Sequence, residues 1–423
     1  AQRVSLIRVS GQSGGDGEPV VLQTVVGGIT DLSGNPSVTG GVVPVQEFAD
    51  ESNPRMESVS IDYNDGMLTF TTSETSRAGS LNLTRLFLIN STEWADASDV
   101  HGNQNIHAML EASYDTFSST PGVISLVGAD TSFGTETNDL LTLRIQMTER
   151  QRSSAVRLSS TPVGGDGGNI IVVALSGTFK DVALNNNVET SLTATEIYDV
   201  DPPEIIAVSI FYATGIMVFT LDETTDAVLA SQGGLSGADE TPTALQNIYI
   251  VNDPAGGTGS GQTGEPLYLN GAFLTPSSQE NTTITISITE IQRVQFHGIS
   301  ASRDSTAIRV VVNAGAFRDV SSNLNGAMNT ALVATEIVDG TFPTIISASL
   351  NFSNGIMVLE STETLDVDND SVGTSLSKID LSLLHVVNQT GDVPSVDFTQ
   401  VLPPGGVDVS GGSVIPLDGT SIT

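Results

Sequence analysis

Cysteine is absent from this 423-residue chain, so a disulfide framework, a thiolate metal site and a thiol nucleophile are all excluded. Cationic residues are scarce. Only 15 Lys and Arg stand against 49 Asp and Glu, a formal charge of −34, which opposes binding to nucleic acid or anionic lipid and favours solubility. Aromatic residues are few, at 5%, with a single Trp at position 94. A carbohydrate-binding module would want exposed aromatic platforms, and this chain has little to build them from. No run of 18 or more apolar residues occurs, so no membrane insertion is expected. No basic and apolar leader precedes Ala1, which reads as a mature chain or a fragment.

Catalytic constellations are missing too. His101, His107, His297 and His385 are scattered, without an H-E-x-x-H, a G-x-S-x-G or a phosphate-cradling glycine motif. Nothing selects a carboxylate pair for glycoside hydrolysis. The expectation is a protein that is no enzyme and requires no cofactor.

What the chain has is glycine, 42 residues of it, with abundant Ser, Thr and Val. Such a composition describes short strands joined by turns, with helix scarce. The length suits two to four domains. Low Lys, high Ser/Thr/Gly and strong acidity together suit an extracellular or cell-surface protein.

An internal repeat organises the chain. The segment Pro54…Gly66-Met-Leu-Thr-Phe-Thr-Thr-Ser-Glu74-Thr returns as Pro203…Gly215-Ile-Met-Val-Phe-Thr-Leu-Asp-Glu223-Thr and as Pro343…Gly355-Ile-Met-Val-Leu-Glu-Ser-Thr-Glu363-Thr. A second phrase closes each unit: Gly27…Asp31…Asn35, Gly177…Asp181…Asn185 and Gly315…Asp319…Asn323, with Glu47, Glu196 and Glu336 in matching places beyond. An acidic, Pro-containing joint then opens the next unit. Thr148-Glu-Arg-Gln151-Arg152 and Thr289-Glu-Ile-Gln292-Arg293 match each other, and Ala1-Gln2-Arg3 matches their last three residues.

The units are therefore 54–202 and 203–342, both complete. Residues 1–53 hold the closing portion of a unit and 343–423 the opening portion. Thr420-Ser-Ile-Thr423 resembles Thr282-Thr-Ile-Thr285, so the two ends complement each other but for a short strand segment. Alternation with period two in Thr142–Met147 and Thr283–Ile288, and Asn-Asp-Gly or Asn-Gly at hairpin turns, predicts about seven strands per unit. The expected fold is all-β, tandem immunoglobulin-like β-sandwich domains with incomplete domains at both ends.

The strand ending in Ser73-Glu74, Asp222-Glu223 or Thr362-Glu363, paired with the late Asp31-Leu-Ser-Gly-Asn35, resembles the bacterial immunoglobulin-like repeats of large secreted surface proteins and adhesins. Those repeats show Phe-Ser-Glu early and Asp-x-x-Gly-Asn late. Only Asp31–Asn35 keeps the full second phrase, since the other copies carry Leu184-Asn185 and Ser322-Asn323. The resemblance implies a structural or adhesive role.

A half sandwich exposes an apolar face and unpaired edge amides that must be covered. The reading is that the chain's partner is itself, in a head-to-tail homopolymer in which 1–53 of one copy completes 343–423 of another by strand addition. The assembly residues would be Val20, Val21, Leu22, Val25, Val26, Val42 and Val43 on the donor. On the acceptor they would be Ile345, Leu350, Phe352, Ile356 and Val358. The alternative is a fragment of a long continuous tandem-repeat adhesin or stalk, whose half units the same polypeptide completes. Hard oxygen ligands gather at the joints, making Glu196, Asp199, Asp201, Asp222, Glu223, Glu336, Asp339 and Glu363 candidate calcium ligands. The plain alternative is a solvated acidic surface, and no twelve-residue loop with alternating carboxylates occurs. The Asp and Asn four residues apart read as turn formers. Sequons at Asn82, Asn90, Asn281, Asn351, Asn369 and Asn388 could carry glycans, at about the number chance predicts. The glycine runs Gly164-Gly165-Asp-Gly-Gly168 and Gly256-Gly257 read as flexible turns.

Overall fold

The computed structural model describes residues 2–38, 41–90, 122–132, 139–162, 164–226, 244–252, 266–275, 281–301, 307–328 and 330–365. It also describes 384–386, 407–408 and 421–422. Strands dominate. The N-terminal piece holds a helix, α1 (Gln2–Arg8), and a hairpin of β1 (Val21–Thr24) and β2 (Gly41–Pro44). The first full sandwich begins with β3 (Met56–Asp62) and β4 (Met67–Ser76), joined by a turn in which Gly66 takes φ 71°. Glycine enters that left-handed region without a Cβ clash, and Gly215 and Gly355 do the same at φ 63° and 70°. The sandwich continues through β5 (Leu86–Asn90), β6 (Val123–Ser125), β7 (Leu140–Gln146), α2 (Glu149–Arg157), β8 (Ile170–Ala174), β9 (Thr190–Thr193) and β10 (Thr195–Ile197).

Two four-stranded sheets result, in the orders β10-β3-β4-β7 and β6-β5-β8-β9. Alternation places Val59, Ile61, Leu68, Phe70, Leu143 and Ile145 on the inward face of one, against Leu86, Leu88, Ile170 and Val172 of the other. Strands β5 and β8 are buried along their whole length, which is why they read as unbroken apolar runs. The closing portion of the unit contributes to both sheets: β8 and β9 to one, and β10, parallel to β3, to the edge of the other.

The second sandwich repeats this plan with β11 (Ile205–Phe211), β12 (Ile216–Thr225), β13 (Ile248–Val251), β14 (Leu267–Tyr268), β15 (Phe273–Leu274), β16 (Asn281–Ser287), α3 (Glu290–Gly298), β17 (Arg309–Val312), β18 (Leu332–Val333) and β19 (Thr335–Ile337). The sheet orders are β15-β16-β12-β11-β19 and β14-β13-β17-β18. The fold is thus all-β and built of sandwich domains. The C-terminal piece holds β20 (Ile345–Asn351), β21 (Ile356–Ser361) and β24 (Ser421–Ile422) in one sheet, and β22 (His385–Val386) paired with β23 (Val407–Asp408). Leu359 pairs with Ile422 as Phe219 pairs with Ile284. Among the described residues no helix is long and apolar enough to cross a membrane.

Among the described residues each full unit carries one α-helix, which the strand-rich composition did not single out. Both begin with a capping box: the Thr148 and Thr289 hydroxyls accept from the backbone of Gln151 and Gln292, whose side chains accept in return from the threonine N–H groups. Thr-x-x-Gln is the sequence signal for this.

Candidate functional site: ionic joints and open ends

The helix after the alternating strand packs Ala155 and Val156 into the core and carries Arg152 to the joint. Arg152 is buried at the joint between the two sandwiches and uses all five of its N–H donors. Its Nε donates to Glu149 at 2.7 Å, and its Nη1 donates to the Tyr63 carbonyl at 2.8 Å and Asp199 at 2.7 Å. Its Nη2 donates to Glu149 at 2.8 Å and Glu223 at 2.6 Å. Asp199 lies in the joint, and Glu223 ends β12 of the next sandwich. Glu149 in turn accepts from the Thr224 N–H at 2.7 Å. One guanidinium therefore ties helix, joint and following domain together.

Asp319 completes the joint from the far side. Its carboxylate accepts from the Asn323 backbone and side-chain amides at 2.7 and 2.8 Å, and Asn323 Nδ2 donates across to the Asp199 carbonyl at 3.2 Å. The Asp and Asn four apart thus form a turn whose Asn also bridges the domains. Val320, one residue on, joins the core of the preceding sandwich. Gly164 lies so close beneath it that a Cβ there would sit 2.1 Å from the Val320 carbonyl oxygen. The glycine run at 164–168 is accordingly a seat for the next domain's turn, and Gly256 and Gly257 lie outside the described residues.

Carboxylate oxygens of Asp199, Glu223 and Asp319 lie within 4.8 Å of one another, all buried. Burial pushes Glu223 up to about 8, with Asp199 and Asp319 adding to it and Arg152 pulling it back. Burial likewise pushes Asp319 up to about 6. Burial works against the Arg152 charge, but Glu149, Glu223 and Asp199 outweigh it and hold its pKa above the usual arginine value. The trio is a cluster of three carboxyl groups around one guanidinium.

The same arrangement recurs at the first joint. Arg3 pairs with Asp50 and, at 2.9 Å, with Glu74. Asp50, Glu74 and Asp181 form the second close carboxylate trio. Asn185 Nδ2 donates to the Asp50 carbonyl at 2.9 Å, and a Cβ on Gly14 would sit 2.1 Å from the Val182 carbonyl oxygen. At the third joint Arg293 donates to Glu290, the Tyr212 carbonyl and, at 2.9 Å, Asp339, and Glu290 accepts from the Thr364 N–H at 3.2 Å.

Of the residues assigned to calcium from sequence, the structure brings Asp199 and Glu223 together and adds Asp319, which that assignment lacked. Glu196 and Glu336 sit inside their own sandwiches. Glu196 accepts from the Ile170 N–H at 2.8 Å, and Glu336 from the Ile308 N–H and the Tyr212 hydroxyl, each at 2.9 Å. Asp222 is exposed and accepts from the Glu204 N–H at 2.7 Å; Asp201 is exposed beside Asp199. Asp339 and Glu363 flank the third joint, where burial raises the Glu363 pKa, with Asp339 adding to it. The buried trio has the oxygen chemistry of a divalent-cation site, yet the Arg152 guanidinium already supplies positive charge there. In the sequence that arginine stands out only as part of the repeated Thr-Glu-x-Gln-Arg phrase.

The open ends form the second feature. Val21, Leu22, Val25, Val26, Val42 and Val43 are exposed, and Val20 is half-buried. Their counterparts in the first sandwich include Ile171 and Val172, which are buried. On the other end Ile345, Leu350, Phe352 and Ile356 are exposed and Val358 is half-buried. Phe352 is 89% exposed, while Tyr63 and Tyr212 at the same repeat position are at 0%. A groove of about 580 Å³ opens beneath α1, lined by Leu6, Ile7, Val20, Val45 and Phe48 among others.

Of the sequons, Asn82, Asn281 and Asn351 are exposed. Asn90 is buried and donates to Asp166, so a glycan has no room there in the folded chain. Asn369 and Asn388 lie outside the described residues, as do His101, His107 and Trp94.

Neither a protein-family model nor a curated protein sequence matches this chain. Among solved structures it is similar to the S-layer protein rSbsC(31-844), at 10% identity and a TM-score of 0.20, over 79% of this chain and 35% of that one. This chain therefore spans about a third of that S-layer structure. It is also similar to native alpha-2-macroglobulin from Escherichia coli spanning domains MG0-NIE-MG1, at 10% identity and a TM-score of 0.25, over 74% of this chain and 79% of that one. A marsupial T cell receptor is similar at 10% identity and a TM-score of 0.14.

Proposed function

We propose that the protein is an extracellular structural subunit that assembles head-to-tail, the closing portion of one copy completing the opening portion of another by strand addition. The observation that carries this is the contrast in burial between the ends and their repeat counterparts. Strand β1 takes the place of β8, and β22 that of β13, whose partner in the second sandwich is β17. In a joined pair β1 adds to the side of β22 away from β23, and residues 46–48 add in parallel to β20, as β19 does to β11. Ile29, exposed here, meets Leu359 as Phe317 meets Phe219, whose rings lie 5.3 Å apart. Each large side chain so covered contributes about 1.5–3 kcal/mol, and the contact is heterologous, so it propagates as a fibre unless geometry closes a ring.

The deep negative charge and the Ser/Thr/Gly-rich, Lys-poor composition support a surface structural role. Glycans on the exposed asparagines and cation uptake at the acidic joints are compatible additions; neither is needed for assembly. The test is electron microscopy and light scattering of the purified chain beside a version lacking residues 1–53. Polymers from the first and none from the second are expected. Polymers from both would overturn the proposal. The denatured mass of native material separates the two backbones: near 44 kDa for discrete subunits, far larger for one continuous tandem array.

A further inference from the structure

The turn at Asp31–Asn35 is the most exposed apolar-tipped feature of the N-terminal piece. Leu32 is 110% exposed, whereas Val320, at its repeat position, is at 0% and sits in the core of the preceding sandwich. The turn is nevertheless already formed. Asp31 accepts from the Asn35 backbone and side-chain amides, each at 2.8 Å, and Gly34 takes φ 83° where Ser322 takes 70°. It is preshaped as the Asp319–Asn323 turn is, without a domain in front of it.

The third joint has the opposite lack. Arg293 holds Glu290 and Asp339, and Glu363 stands beyond, so the helix and acidic exit are in place. The element that closes the other two joints, an Asp-turn from the following unit, has no counterpart among the described residues of 343–423, because the repeat puts it in the closing portion of a unit.

We propose that the Asp31–Asn35 turn of one copy closes the third joint of another, with Asp31 beside Asp339 and Glu363, Leu32 on the second sandwich, and Asn35 donating to the Asp339 carbonyl. This rests on the head-to-tail reading and deepens it. Assembly then joins three domains at once, because the donor both completes the acceptor sheet and locks it onto the second sandwich. Arg293 becomes an inter-subunit counterpart of Arg152.

The cysteine-free chain makes a clean test. Within the chain, the Ser321 hydroxyl lies 3.2 Å from the Asp199 carboxylate; their counterparts across the proposed contact are Ser33 and Asp339. A chain carrying Ser33→Cys and Asp339→Cys, mildly oxidised, is expected to give a ladder of covalent multimers on a non-reducing gel, while either single variant stays at one chain. The pair Ser321→Cys and Asp199→Cys is the control, closing within one chain. A second variant leaves Asp339 intact: Leu32→Asp, at a side chain the lone subunit exposes, should leave its melting unchanged. It should raise the concentration needed for polymerisation about tenfold or more, as loss of a buried anchor does. Polymers that form without the ladder while the control closes, or an L32D chain that polymerises like the parent, would overturn the turn contact and leave strand addition standing. A parent chain that forms no polymer and a double variant that forms no ladder would remove both.

Discussion

The closed sandwiches and the open ends are written in the same phrases and differ in what covers them. Tyr212 and Phe352 hold the same repeat position; one is buried and hydrogen-bonded through its hydroxyl to Glu336, the other stands in solvent. Hydrophobic pattern alone therefore does not fix burial here. What differs among the described residues is the covering strands, which Tyr212 has and Phe352 does not. The contrast breaks most sharply with alanine. Tyr212→Ala should cost about 3–5 kcal/mol, the range for emptying a large aromatic site, read as a lowered melting transition of the second sandwich. Phe352→Ala should leave the melting of the isolated subunit within about 0.5 kcal/mol and weaken polymerisation instead. Equal losses of melting in both would mean that Phe352 is covered within its own chain.

The joints give the next comparison. Arg152 is buried among Asp199, Glu223 and Glu149, whereas the Arg3 side chain is 57% exposed beside Asp50 and Glu74. Removing a buried ionic partner strands its carboxylates, so Arg152→Met should cost about 3 kcal/mol or more. Arg3→Met, at an exposed pair, should cost about 1 kcal/mol or less. Chemical denaturation of the two variants measures both. A similar cost at each site would mean that the internal joint is not the tighter one.

A smaller effect follows from protonation of Glu223 and Asp319. Glu223 faces Asp199, Asp319 and Arg152, and its folded pKa of about 8 stands above the ordinary 4.5. The folded joint thus binds more protons than the unfolded chain, so this contribution is whole below about 4.5 and is lost as pH rises through about 8. Asp319 adds a loss of the same sign between 3.8 and about 6. Glu223→Gln, which keeps an acceptor for Arg152, should melt above the parent at pH 8.5 and level with it at pH 4. A parent that gains on E223Q as pH rises would reverse the sign and sink the account.

Much of this was legible in the sequence. The repeat spacing marked which residues correspond, and the pairing of Ile422 opposite Leu359 follows the match of Thr420–Thr423 to Thr282–Thr285. Period-two alternation gave the inward residues of β7 and β16. The joint chemistry was harder to read because its partners come from three stretches of chain. Arg152 lies 47 residues from Asp199 and 71 from Glu223, and nothing local links them. The helix that carries Arg152 did have a local signal in the Thr148–Gln151 capping box, masked by a composition that favours strands. The glycine run at 164–168 looked like a flexible turn because a close approach to another domain leaves no mark on its own sequence.

The smallest effect concerns the departure of the middle copies from Asp-x-x-Gly-Asn. Leu184 and Ser322 take φ 74° and 70° where Gly34 takes 83°, so the Asp-turn demands the left-handed region whatever residue is there. An L-residue with a Cβ is strained in that region by about 1–2 kcal/mol. Glycine removes the strain but gains freedom in the unfolded chain worth about 0.4–1 kcal/mol. Leu184 is 40% exposed, so little burial is lost with its side chain. Leu184→Gly should therefore stabilise the first sandwich by about 0.5 kcal/mol, the difference of those two effects. Leu184→Ala is the discriminating partner, because it removes the same branched carbons but keeps the Cβ and so the strain. Thermal melting of the two should rank glycine above leucine and alanine at or below it. If alanine gains as much as glycine, the benefit comes from trimming an exposed apolar group, and the left-handed turn is not what Gly34 serves in its copy of the phrase.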